Sequence, residues 1–187
     1  LRCKSVHPFK MHKIAPALPQ CQGNPAKAKV VIYAYSDFQC PFCTIILPRL
    51  EKMVKKMPDV ALCFKHFPTN THGKGTVLAS IAAAAAARQG KFWPMHDLLY
   101  ANRKHQSLAD LRRYAQQIKL DMGRFEKDLR RRKVARQVAR QKAEGLRIGV
   151  KGTPTIFVNG KQLYGRKDRR ELKDRIEEEL LLVRGGK

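Results

Sequence analysis

Two cysteines three positions apart, Cys40 and Cys43, lie where a strand-like segment gives way to a helical pattern. Residues 30–35 are β-branched or aromatic apart from one alanine, which is typical of a buried central strand. After Cys40, apolar residues recur at helical spacing until Met57 and Pro58, where the helix should end. The spacing predicts that Cys40 lies at the exposed start of a helix and that Cys43 lies one turn further in.

A cysteine pair with this spacing suits two kinds of chemistry. It can supply half of a zinc site, which also needs a second close cysteine pair or two suitably spaced histidines. The other cysteines, Cys3, Cys21 and Cys63, stand singly, and the six histidines form no such pair beside them. The alternative is a disulfide that opens and closes. We favour this redox interpretation and expect neither a metal nor an organic cofactor.

The start of a helix suits a reactive thiol. Unpaired backbone N–H groups and the positive end of the helix dipole stabilise an anion there. A thiolate at Cys40 would then be both a good attacking group and a good leaving group, and the shielded Cys43 would resolve the mixed disulfide. Pro41 fits this position because the first helical turn does not need its missing N–H.

A second motif, Thr153-Pro154, directly precedes a strand-like segment at residues 155–158. The Asn-Gly pair at 159–160 then predicts a tight hairpin. The proline is either an ordinary strand-edge residue or the second member of a cis peptide bond. A cis bond would place backbone polar groups beside Cys40, where they can pair with an extended substrate peptide.

The order of the remaining elements predicts an α/β fold. A second strand is expected at residues 60–67, and residues 74–147 show only helical patterns. We therefore divide the chain into an irregular N-terminal arm at 1–29 and one domain at 30–183. The helices would form an insertion at about 70–148 of that domain.

Several motifs, in this order, resemble the DsbA-like branch of the thioredoxin superfamily over roughly residues 24–183. The matching segments are 36–43 (SDFQCPFC), 67–68 (FP), 89–93 (QGKFW), 95–97 (MHD), 149–150 (GV), 152–155 (GTPT) and 157–160 (FVNG), with Pro48 inside the first helix. The resemblance implies a thioredoxin fold with the helical insertion between the second strand and the cis-proline strand. It also implies thiol–disulfide oxidoreductase activity at Cys40 and Cys43. Substrate would be contacted by Pro41, Phe42, Thr153 and Pro154.

The resemblance further implies where such a protein works. We expect a periplasmic or secreted protein whose leader has been removed, since the sequence begins with Leu1. Its substrates would be proteins with thiols or disulfides, and a DsbB-like or DsbD-like membrane partner would recycle it. The short arm leaves little room for the dimerisation domain of dedicated isomerases, so a monomer is expected.

Two residues depart from the family pattern. Ala34 stands where the family often has a buried glutamate that helps proton transfer at the inner thiol. Lys65, Asp37 or water must then serve instead. Phe42 stands where the strongest oxidants of the group have histidine. We therefore expect a less oxidising pair.

The three single cysteines leave alternatives open. Three alternatives are open for Cys3 and Cys21: a structural disulfide, two free thiols, or an accessory redox pair. We favour the structural disulfide because the resemblance implies an oxidising compartment. Cys63 lies in an apolar strand, where a buried inert thiol is the favoured interpretation.

The charge balance supports a competing function. The chain has 39 Lys and Arg against 15 Asp and Glu, a net charge of +24. A basic thioredoxin-fold module that binds polyanions or acidic partners is therefore the alternative to an exchange enzyme. Isomerase or reductase action is the alternative enzymatic direction. No specific nucleic-acid partner is expected, because the basic run at 130–142 contains no aromatic residue for stacking.

Overall fold

A computed structural model describes residues 10–16, 20–69, 71, 73, 75–165 and 168–185. The elements are β1 (Cys21–Gln22), β2 (Val30–Ser36), α1 (Pro41–Val54), β3 (Val60–His66), α2 (Thr76–Ala87), α3 (Phe92–Ala101), α4 (Leu108–Gln117), α5 (Met122–Leu129), α6 (Arg132–Arg147), β4 (Thr155–Val158), β5 (Lys161–Gln162) and α7 (Arg169–Gly185). The strands form one sheet in the order β1-β3-β2-β4-β5. As the sequence predicted, a block of helices separates β3 from β4. None of the described helices is long and apolar enough to cross a membrane.

Strand β2 is the centre of the sheet, paired in parallel with β3 and antiparallel with β4. Successive side chains of a strand point to opposite faces. Ile32 and Ala34 accordingly join the larger core cluster, which includes residues of α1 and α7. Tyr33 and Tyr35 join a second cluster on the other face. Both faces are covered, which explains the nearly continuous apolar sequence of β2.

Helix α2 is the centre of the helical insertion. Its alanines are buried, and it packs against α3, α4, α5 and α6. Small side chains allow helices to approach closely on several sides at once. A similar close approach brings α6 to the sheet at Gly145, where a Cβ atom would meet the Phe67 ring at 2.9 Å.

The N-terminal arm is more ordered than the sequence indicated. Cys21 and Gln22 form strand β1, which pairs antiparallel with β3 and places Cys21 opposite Cys63. The two cysteines form a disulfide. Directly opposed antiparallel residues have Cβ atoms close enough for such a bond. The expected Cys3–Cys21 bond is therefore wrong, since Cys21 is already bonded, and Cys63 is not an inert thiol. Cys3 lies outside the described residues.

Candidate redox site at the start of helix α1

Cys40 occupies the N-cap position of α1, and Pro41 is in the first helical turn. The Cys40 N–H donates to the Asp37 carbonyl oxygen at 3.1 Å, which fixes the turn between β2 and the helix. The first turn of α1 has no acidic residue that would repel an anion. Cys40 and Cys43 are both free thiols and both buried. The predicted place of the pair at the start of a helix is therefore correct, but Cys40 is buried and not exposed as expected.

The Thr153–Pro154 peptide bond is cis, the geometry that the sequence motif suggested. The Cys40 sulfur lies 3.3 Å from the Thr153 carbonyl oxygen, to which it donates a hydrogen bond when it is protonated. The sheet explains this contact between residues far apart in sequence, because Thr155 is the register partner of Tyr35, near the end of β2. The loop that precedes β4 therefore lies beside the loop that follows β2.

The two thiols differ in acidity. The hydrogen bond from Cys43 is the largest influence on Cys40 and lowers its pKa to about 5, although burial opposes the shift. The Thr153 side chain and the backbone N–H groups of Phe42 and Cys43 also favour the Cys40 thiolate. Burial raises the pKa of Cys43, and the bond to Cys40 acts in the same direction. At neutral pH the charge is on Cys40 and the proton on Cys43.

This difference predicts how the reduced protein responds to pH. The alkylation rate of Cys40 should rise with a midpoint near pH 5, because only the thiolate reacts. The pKa of Cys40 in the folded protein lies below the ordinary cysteine value of 9.0. Between about pH 5 and pH 9, the Cys40 thiol therefore keeps its proton only in the unfolded chain. The free energy of unfolding of the reduced protein should therefore rise with pH across that window, and this contribution disappears below about pH 5.

The measurement is alkylation by iodoacetamide, followed by mass spectrometry, across this pH range. Cys43→Ala is the informative variant, because alanine has no side-chain donor and losing the Cys43 hydrogen bond should move the midpoint upward. A wild-type midpoint at the ordinary cysteine value would contradict the geometry.

The surface around the pair is formed by Pro41 and Phe42. Both are exposed, and 66% of the Phe42 surface is accessible. The sequence analysis selected both residues as substrate contacts. Their exposure beside the buried sulfur of Cys40 leaves them accessible to an incoming peptide.

Residues that the sequence analysis missed hold the loop before Cys40. Arg103 donates to the Gln39 carbonyl oxygen at 3.1 Å, and Gln106 donates to the Phe38 carbonyl oxygen at 3.2 Å. Both donors follow α3 in the helical insertion. Their separation from the loop, more than 60 residues, left no local signal in the sequence.

Asp37 ties the same loop to the end of β3. Its carboxylate accepts hydrogen bonds from the Gln39 N–H at 2.8 Å, the Thr69 N–H at 2.8 Å and the Thr69 hydroxyl at 2.7 Å. Asp37 is fully buried. This set of donors gives Asp37 a structural role in positioning Cys40.

The sequence profile of the family described as Thioredoxin matches residues 19–178. The chain belongs to the thioredoxin family. A thioredoxin-like oxidoreductase from Silicibacter pomeroyi DSS-3 is similar in structure, with 26% identity, a TM-score of 0.75 and coverage of 84% of this chain and 90% of that one. BdbD from Bacillus subtilis, in its oxidised form, has 26% identity, a TM-score of 0.72 and coverage of 87% and 92%. The predicted thioredoxin fold with a helical insertion is confirmed, as is the resemblance to DsbA-like oxidoreductases.

Curated relatives include longer proteins. The Na(+)/H(+) antiporter NhaA 3 of Salinispora tropica is 38% identical over 142 residues, which are 76% of this chain and 22% of that protein. NhaA 1 of Salinispora arenicola gives 37% identity over 143 residues, again 22% of its length. The chain therefore spans between a fifth and a quarter of these relatives.

Ala34, which stands where related proteins often have a glutamate, is buried in the apolar core. Because alanine cannot carry a proton, another group would have to transfer the proton at Cys43. Lys65, one expected candidate, lies on the other face of the sheet and forms an ion pair with Glu144 of α6 at 2.7 Å. The polar group beside Cys43 is the Ser36 hydroxyl. It shares a 2.6 Å hydrogen bond with the Tyr100 hydroxyl. The side chains that hydrogen-bond Cys43 are therefore Cys40 and Ser36, whereas Lys65 lies on the opposite face of the sheet.

Within the described part of the chain, Glu51, His96 and Asp97 come close enough together to share a metal ion. Glu51, however, already accepts a hydrogen bond from Gln22 at 2.7 Å and forms an ion pair with Lys55 at 2.7 Å. The positive charge beside the Glu51 carboxylate is therefore the Lys55 ammonium.

Proposed function

We propose that this chain is a thiol–disulfide oxidoreductase that exchanges disulfides with extracytoplasmic proteins through Cys40 and Cys43. One observation carries the proposal. Cys40 combines a pKa of about 5 with a 3.3 Å contact to the Thr153 carbonyl oxygen, while Cys43 keeps its proton. In such a pair, one sulfur is a nucleophilic thiolate and the second is a protonated thiol that can resolve the mixed disulfide.

In the reducing direction, the Cys40 thiolate attacks one sulfur of a substrate disulfide. A new S–S bond forms, and the second substrate sulfur leaves as a thiolate that takes up a proton. Cys43 then loses its proton and attacks Cys40, which releases the first substrate sulfur. Two electrons pass from the pair to the substrate, and the pair becomes a disulfide. In the oxidising direction, the same steps run backward.

Substrate binding would use the exposed side of this site. An extended peptide can pair with the backbone polar groups of Thr153, next to Pro154, while its cysteine meets Cys40. Pro41 and Phe42 would contact the flanking residues. Phe42 offers no hydrogen bond to the thiolate, which supports a less oxidising pair than one with histidine there.

The cellular setting is also a proposal. The Cys21–Cys63 disulfide favours an oxidising compartment, such as the periplasm or the cell exterior. In that setting a DsbB-like or DsbD-like membrane protein would restore the redox state of the pair. Residues 30–183, together with strand β1 of the N-terminal arm, would act as one monomeric domain, with the insertion at about 70–148 as its helical lid.

A specific observation also supports the basic binding module. Arg132, Lys133, Arg136 and Arg140 are exposed on α6, and none forms an ion pair with another described residue. These unpaired charges could hold a polyanion.

Two assays on the same preparation separate the functions. We expect the wild-type protein to catalyse insulin reduction by dithiothreitol. With Cys40 and Cys43 joined in a disulfide, the protein should oxidise a dithiol peptide. We expect heparin binding to be weak and to vanish as salt is raised. Tight, salt-sensitive heparin binding without redox turnover would contradict the enzyme and support the module.

A further inference from the structure

A pocket of about 370 Å³ opens beside the cis-proline loop. Thr153 and Pro154 form one side of it, and Lys151, Gln162 and Tyr164 contribute its longer side chains. The Thr153 carbonyl oxygen that lies 3.3 Å from the Cys40 sulfur belongs to the same loop. The pocket therefore shares Thr153 with the redox site, although Cys40, Pro41 and Phe42 do not line it.

The charge of this pocket is one-sided. Lys151 is the charged residue among those that line it, and no acidic residue is among them. Lys151 is exposed and forms no ion pair with any residue in the described ranges. Gln162 and the Tyr164 hydroxyl add hydrogen-bond donors, and Tyr164 is 67% exposed. An anionic group entering here would meet a free ammonium group and neutral polar donors.

The pocket also has room for an incoming side chain. Two of its lining residues, Gly149 and Gly152, have open space where a Cβ atom would stand. Gly149 adopts a φ of +90°, a conformation that disfavours other residues. No neighbouring atom therefore lies within 4 Å of the Cβ positions at Gly149 and Gly152.

We propose that this pocket is a subsite for an acidic side chain of the substrate peptide. The proposal rests on the proposed function and names its substrate class: an extended segment with Asp or Glu within about three residues of its reactive cysteine, since an extended chain advances about 3.3 Å per residue. Lys151 would pair with the carboxylate while the backbone of Thr153 pairs with the peptide. The net charge of +24 would attract such acidic substrates over longer distances.

The test uses short dithiol peptides that differ only in carrying Glu, Gln or Lys at one of the three positions on either side of a cysteine. At low salt and at the best position, we expect kcat/KM for oxidation to be about two- to fivefold higher for Glu than for Gln. High salt should remove this ratio. Lys151→Met should bring it to about one, and Lys151→Glu should invert it.

Lys127→Met is the matched control, because Lys127 is exposed on α5 and its removal changes the net charge equally. This variant should keep the preference for Glu. If Lys151→Met keeps the preference, or if Lys127→Met loses it equally, the subsite is refuted and general charge attraction explains the data. An equal kcat/KM for Glu and Gln in the wild type would also refute it.

A second readout separates this proposal from the proposed function. Peptides with serine in place of cysteine cannot exchange disulfides, but their binding can be followed by fluorescence polarisation. A Glu preference that depends on Lys151 in this assay would support the subsite even if no peptide were oxidised. Redox turnover without a preference for Glu in either assay would support the proposed exchange activity and refute the subsite.

Discussion

Replacing Cys40 with serine is expected to reduce disulfide exchange to the uncatalysed rate. At neutral pH, a thiol with a pKa of about 5 is present as thiolate, whereas a serine hydroxyl keeps its proton and cannot form a disulfide. The measurement is insulin reduction by dithiothreitol, with the oxidation of a dithiol peptide as the reverse assay. Both rates should fall to those of a reaction without enzyme.

The control must show that loss of exchange is not loss of structure. A variant with serine at both Cys21 and Cys63 removes two cysteines away from the site and should retain exchange activity, although it loses the disulfide that joins β1 to β3. Cys40→Ser should also unfold cooperatively in denaturant. Full exchange activity in Cys40→Ser would rule out the proposed mechanism.

Replacing Glu144 with leucine should cause a large loss of stability. The Lys65 ammonium, with 4% of its side chain exposed, would lose its partner at 2.7 Å. The Tyr35 hydroxyl would lose its 2.9 Å hydrogen bond to the same carboxylate. Removing one member of a buried ion pair typically costs about 3–5 kcal/mol. Guanidinium unfolding of the oxidised protein measures the loss.

Two further variants test the cause. The double variant Lys65→Met with Glu144→Leu should recover at least half of the loss, because an apolar pair leaves no buried charge. Glu126→Leu, which removes the 2.6 Å partner of the more exposed Arg112, should cost less than about 1 kcal/mol. If Glu144→Leu costs no more than Glu126→Leu, the buried pair is not the source of stability.

The sequence was informative where the signal is local. Cys40, Pro41 and Cys43 are neighbours, and the rules for helix starts predicted their position at the start of α1, although not the burial of Cys40. Thr153 and Pro154 form a short motif next to a strand, and strand pairing then places it beside Cys40. Each of these features depends on a few consecutive residues.

Long-range contacts could not be predicted in the same way. Strand β1 has only two residues, too few for a periodic pattern, and the disulfide that it makes possible joins cysteines 42 positions apart. The partner of Lys65 depends on how α6 docks on the sheet, and the contact of Arg103 with the Gln39 carbonyl depends on how the insertion folds over the site. Packing decides these contacts, and a single sequence does not show packing.

The most direct test of the central claim is to find the covalent intermediate. The Cys43→Ser variant should attack a disulfide-bonded peptide through Cys40 and then stop, because the resolving thiol is missing. Mass spectrometry after alkylation should show one peptide bound through a disulfide at Cys40, and dithiothreitol should release it. A Cys43→Ser protein that forms no such adduct, while the wild type still turns over the same peptide, would contradict the account.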